Sequence, residues 1–274
     1  MPTTSAPNEA LFVVVGRGAD KANVARMVLA LVLVCIVSWP LLQQGGLLGV
    51  SWEIWALAML LGELVLIWRV GIFGRIRALM RLESIRRDGL RATEMLTAGD
   101  VEGAKQGYAE LLSRARPLGA FHATHVLMYG VTRFIEGDAR EGLKLASRAI
   151  DSGWFVSAGM KPMGVAAETW RIHMLLDLGE RAEARARLAS APSLPTAALA
   201  VDACDERWSD VVDRALRTLD DAKFPPGGRP NVALLGRYAA RQIEHEALAR
   251  FEAVLSAEPL LGLTRKNPAY RRYL

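Results

Sequence analysis

"EMLTAGDVEGAKQGYAELLSRARP", residues 94–117, decides the fold class. Gly99 marks a tight turn, Ala104 follows five residues on, Tyr108 four later, and Pro117 closes the unit. A helix hairpin needs this order. Glycine permits the turn, and a small residue in the second helix lets it approach the first closely. A bulky residue one turn later fills the space against whatever packs next.

The pattern recurs. "MYGVTRFIEGDAREGLKLASRAI" (128–150) carries Gly137, Gly142, Ala146 and Ala149, and "WRIHMLLDLGERAEARARLASAPS" (170–193) carries Gly179, Ala184, Leu188 and Ala191. A degenerate copy, "CDERWSDVVDRALRTL" (204–219), offers Trp208, Val211 and Ala215. A last copy at 234–259 gives Tyr238, Ala247, Phe251, Val254 and Pro259. Strand-like alternation is nearly absent, so the chain reads as all-α. Over residues 85–260 this succession resembles the tetratricopeptide repeat family, whose unit has its turn glycine, small residue, bulky residue and closing proline in this order. The glycine spacings here, Gly99 to Gly137 to Gly179, exceed the family's usual ~34 residues, and "DSGWFVSAGMKPMGV" and "DDAKFPPGGRPNV" would hold the extra chain. The resemblance implies a solenoid of helix pairs over 92–260 with a concave groove for a protein partner, and no catalysis. It would turn Thr124, Leu127, Phe134, His173, Leu176 and Asp177 toward that groove, inter-repeat packing being the competing reading for all six and the expected one for Leu127, Phe134 and Leu176.

Upstream the chain changes character. Met27–Leu42 is uncharged and reaches ~24 Å as a helix, and the run from Val50 to Trp68 reaches ~28 Å, against a hydrocarbon core of ~30 Å. Trp39, Trp52, Trp55 and Trp68 sit near the run ends, as interfacial residues do. The expectation is a transmembrane hairpin over 26–70, with spans at 26–42 and 50–69. No Lys or Arg occurs in the connecting loop, whereas Arg17, Lys21 and Arg26 precede the pair and an arginine cluster follows it. The positive-inside rule then puts the N-terminal segment 1–25 and residues 70–274 in the cytoplasm, so both termini lie on that side of an inner membrane. Glu63 interrupts the second run. It is either neutral or snorkelling toward Arg26, or it meets a polar group of another membrane subunit.

Seven arginines in 69–91, opposed by Glu83 and Asp88, leave a net +5, equal to the formal charge of the whole chain. The basic character therefore belongs to one amphipathic juxtamembrane helix, 71–91. Arg69, Arg75, Arg77, Arg81, Arg86 and Arg87 are expected to meet anionic lipid headgroups, with no nucleic acid as partner. Two cysteines, Cys35 and Cys204, make no disulfide framework. "GRGAD" (16–20) lacks the third glycine of a dinucleotide turn and reads as a short segment near the membrane. His122 and His125 have metal-compatible spacing but no acidic or thiol companion, so neither a metal nor a cofactor is expected. "EHE" at 244–246 reads as a solvated helix face, and "NPAYRRYL" within the tail 261–274 as a mobile, solvated end. No nucleophile motif, HExxH or P-loop occurs, so the chain reads as non-enzymatic.

Together these features predict a membrane-anchored adaptor that holds a protein partner at the cytoplasmic face of a bacterial inner membrane. The alternative is a structural subunit of a larger envelope complex, homo- or hetero-oligomeric, assembled through the hairpin and Glu63. The layout is similar to two-span bacterial inner-membrane proteins with a cytoplasmic tetratricopeptide domain, such as those associated with haem biosynthesis. The shorter inter-span loop and fewer repeats here leave that role untransferred.

Overall fold

The computed structural model describes residues 9–22, 79–191 and 194–274, with positions 25, 29, 32, 57, 61, 62, 76 and 77 between the first two segments. The described residues form helices, 3-10 turns and connections, with no strand among them. No described helix is long and apolar enough to cross a membrane. Apart from those isolated positions, the two apolar runs, with Glu63, Arg69 and Arg75, lie outside the described residues.

From Leu82 onward the chain forms α1 (Leu82–Ala98), α2 (Val101–Ala115), α3 (Gly119–Ile135), α4 (Ala139–Asp151), α5 (Lys161–Asp177) and α6 (Arg181–Ser190). It continues with α7 (Pro195–Cys204), α8 (Trp208–Asp220), α9 (Arg229–Gln242), α10 (Leu248–Ala257) and α11 (Gly262–Lys266). Consecutive helices pack as antiparallel neighbours for local reasons. Gly99, Gly137 and Gly179 have φ of 91°, 101° and 77°, a left-handed conformation that reverses the chain and penalises any Cβ. In the first two pairs the aspartate after the glycine starts the next helix. Asp100 accepts from the Gly103 N–H at 3.0 Å, and Asp138 from the Glu141 N–H at 3.2 Å. Such a cap stabilises by about 1 kcal/mol.

The small-then-bulky spacing becomes packing. Ala104, Ala146, Ala184 and Ala215 are fully buried, as are Tyr108 and Phe251. α3 crosses α4 closely, where a Cβ on Gly142 would sit 2.9 Å from the Gly130 carbonyl and 3.0 Å from the Phe134 Cβ. Glycine is what fits there. One core joins α1–α5, a second joins α7–α10, and a smaller one lies between α5, α6 and α7.

Residues 9–17 and 262–273 both fold onto this body, against the expectation from the repeat pattern. Residues 9–17 form a strap. The 3-10 turn Glu9–Phe12 buries Phe12 against Tyr129, ring centroids 5.2 Å apart. His122 Nε2 donates to the Leu11 carbonyl at 2.8 Å, Trp154 Nε1 to the Val15 carbonyl at 2.8 Å, and the Arg17 N–H to the Ser152 carbonyl at 2.9 Å. At the other end, α11 packs on α1, with Gly262 against the backbone of Ala98 and Gly99. Asn267 then accepts from the Ala269 N–H at 3.0 Å and starts the 3-10 turn Pro268–Tyr273. Tyr270 and Tyr273 of this turn are both buried. The expectation of a mobile, solvated 261–274 is therefore corrected: two tyrosines enter the core and outweigh the arginines around them. "EHE" is likewise not on a helix face. It forms the turn between α9 and α10, with Glu244 at φ 49° and His245 Nδ1 accepting from the Ala247 N–H.

Candidate functional site

A cleft of about 520 Å³ runs along α5. Pro162, Val165, Ala166, Thr169, Trp170 and His173 form one wall. Their spacing of three and four places them on a single helix face. Opposite stand the start of α7 (Leu194–Thr196), the loop before α9 with Phe224, and Leu263, Thr264 and Tyr270 of the folded-back C-terminal segment. Thr264 Oγ1 donates to Asn231 Oδ1 at 2.8 Å, so the C-terminal wall is bonded to α9.

At the base of the cleft the aromatic rings form a continuous ladder. Phe134 meets Trp170 edge-on at 6.3 Å, Trp170 meets His173 at 5.8 Å, and His173 meets Tyr270 at 5.3 Å. Edge-to-face contacts of this kind add about 0.5–1.5 kcal/mol each beyond area burial. His173 is 3% exposed and neither ring nitrogen has a hydrogen-bond partner in the protein. Burial alone pushes its pKa down to about 4, so the ring is neutral at pH 7.

A second recess of about 450 Å³ shares Leu194, Pro195, Asp221 and Phe224 with the first and extends the groove toward α8. Arg214 there bonds the buried Asp202 at 2.8 Å, a structural pairing. Arg217 bonds only the Asp213 carbonyl, at 3.2 Å. Asp221 accepts from the Lys223 N–H and holds the loop in its turn. The two recesses together form a trough with apolar and aromatic walls and with Asp221, Lys223, Arg214 and Arg217 at one end.

Of the six groove residues expected from sequence, only His173 lines this cleft. Phe134 is fully buried and belongs to the core ladder, so the packing reading holds there and its placement on a groove surface does not. Thr124 bonds the Ala120 carbonyl on α3 and does not line the cleft. Asp177 lies at the exposed end of α5, where partial desolvation raises its pKa against the opposing effect of Arg271. Leu127 is entirely within the core. Residues missed by sequence reasoning are Tyr270 and Thr264, because their segment was read as solvated. The signal available was "NPAY", in which an Asn before Pro starts a turn and aims an aromatic three residues on.

The remaining candidates are also placed. His122 is spent on the Leu11 carbonyl and His125 packs on Tyr108, centroids 6.2 Å apart. No group of three potential metal ligands occurs among the described residues. Arg77, Arg81, Arg86 and Arg87 are exposed, and Arg86 pairs with Glu83 at 3.3 Å. Comparison with protein families, with characterised proteins and with solved structures finds no match to this chain.

Proposed function

We propose that this chain is a membrane-anchored adaptor whose helical domain holds a protein partner in the α5 cleft at the cytoplasmic face of a bacterial inner membrane. The observation carrying the membrane half is the strap. Residues 9–17 pack on α3 and α4, and the rest of that body begins beyond residue 79. The two flanks of the apolar runs are parts of one packed unit, which supports their lying on one side of a bilayer, as a hairpin over 26–70 requires. Leu29, Val32, Leu57 and Leu61 support this, each being about half exposed, a costly state in water and a favourable one in lipid.

The partner half rests on the cleft, with Val165 and Leu261 exposed on its rim at 43% and 41%. Its apolar wall suits a side chain or helix edge of a second protein. A photo-reactive residue placed at Val165 in the full chain should give a discrete cross-linked protein in native membranes, and one at Leu90, away from the cleft, should not. A chain washed off membranes by carbonate removes the anchor. Retention in the membrane without cross-linking at Val165 removes the partner groove.

A further inference from the structure

One edge of the helical domain gathers both points at which the described chain leaves toward the apolar runs. The strap runs from Glu9, which pairs with Lys144 in the middle of α4, to Arg17 beside Ser152 at the C-terminal end of α4. Residues 17–22 then continue as helix toward the first run. The second run re-enters at α1, whose first turns are held at the same edge. Arg114, near the C-terminal end of α2, bonds Ser84 at 2.5 Å and Asp88 at 2.8 Å. From α2 the edge passes to the start of α3 through the Leu118 N–H on the Ala115 carbonyl. It continues to the turn after α4, where the Trp154 ring covers Gly119 so closely that no side chain fits there. Trp154 in turn bonds the strap at Val15. The opposite edge holds the turns at Gly99, Gly137 and Gly179 and the α11 helix.

The exit edge displays large apolar side chains to the outside: Val13 at 56%, Val15 at 43%, Phe121 at 38% and Val156 at 72%, with Leu79 and Met80 at the approach to α1. The chain segments at this edge carry Arg17, Lys21, Arg77, Arg81, Arg86, Arg87, Arg114, Arg116 and Lys161, against Asp20, Glu83, Asp88 and Asp151. Exposed apolar groups ringed by excess cations suit a surface that is anionic outside and hydrocarbon a few ångströms deeper.

We infer that this edge is the membrane-facing surface of the domain: Val13, Val15, Phe121 and Val156 dip into the headgroup layer of an anionic bilayer, and the arginines engage lipid phosphates around them. The inference rests on the proposed anchoring by the apolar runs, because the same edge delivers the chain to them at both ends. It goes beyond anchoring in fixing an orientation. The helices stand on the bilayer with α5 rising from it, so the Pro162 end of the cleft lies near the membrane.

The test is site-directed spin labelling of the full chain, with Cys35→Ala and Cys204→Ser, in nanodiscs of phosphatidylcholine and phosphatidylglycerol. Labels at Gly18 and Gly159, where an added Cβ meets nothing within 4 Å, report the edge without altering its apolar groups. Labels at Arg140 and Glu180, both exposed, report the opposite edge. Gly18 and Gly159 should show a several-fold higher ratio of oxygen to nickel-complex collisions than Arg140 and Glu180. That difference should be lost at Gly159 in a Phe121→Glu, Val156→Glu double variant and reduced in discs without phosphatidylglycerol. Equal, water-like ratios at all four positions in a chain that remains in the disc would overturn the orientation and leave the anchor standing. A chain that does not remain in the disc would end both.

Discussion

His173 and His125 show how burial converts a side chain into a pH-dependent element of stability. Each is held near pKa 4 in the folded protein against an ordinary value of 6.5, chiefly by loss of water; His122 and Arg114 add to the effect at His125. The unfolded chain therefore binds more protons than the folded one whenever pH lies below 6.5. Stability is full above that pH and falls as pH drops toward 4. Linkage gives a loss of about 2 kcal/mol per histidine at pH 5. Urea unfolding of the detergent-solubilised chain should show its midpoint fall between pH 7.5 and pH 5, and His173→Phe should remove roughly half of that fall. Gly142 gives a second test at this scale. Its missing side chain admits the Gly130 carbonyl, so Gly142→Ala must push α3 and α4 apart and should cost about 1–3 kcal/mol in the same assay.

Among the elements, the strap and the C-terminal segment are additions that the repeat pattern does not announce. Phe12 supplies most of the strap's burial, and Phe→Ala in a core costs about 3–5 kcal/mol. Because the loss is local, Phe12→Ala should speed amide exchange over 9–17 and at the start of α3 while leaving α8 to α10 protected. Gly262 plays the corresponding part at the other end. Any side chain there enters the backbone of Ala98, so Gly262→Val should lift α11 from α1, expose 261–274 to limited proteolysis, and remove one wall of the cleft. The helices themselves were legible from residues such as Gly99, Ala104 and Tyr108, because turn geometry and close helix approach are local demands. The cleft was not, since Tyr270 reaches His173 across nearly a hundred positions of sequence and no local signal records that meeting.

For the whole molecule, the packing of 9–17 on a body that begins after residue 79 ties topology to tertiary structure. Cysteines at Ala19 and at Arg140, placed singly in a cysteine-free chain, should be equally shielded from a membrane-impermeant maleimide in intact cells and equally labelled after lysis. Opposite behaviour of the two would require an odd number of crossings and break the hairpin reading.

Residue spacing alone is enough to read this chain as helical, to pair its helices into hairpins, and to concentrate its excess charge between an apolar stretch and a repeating one. Those properties follow from spacing along the chain, where glycine conformation, alanine size and arginine count act within a few residues. Tertiary structure alone decided where the two ends go, which expected groove residue faces open space, and which edge gathers the exits toward the apolar runs. Each of these depends on Phe12, Tyr270 and Gly262 finding partners distant in sequence, and burial against such partners is selected by the shape of the assembled helices.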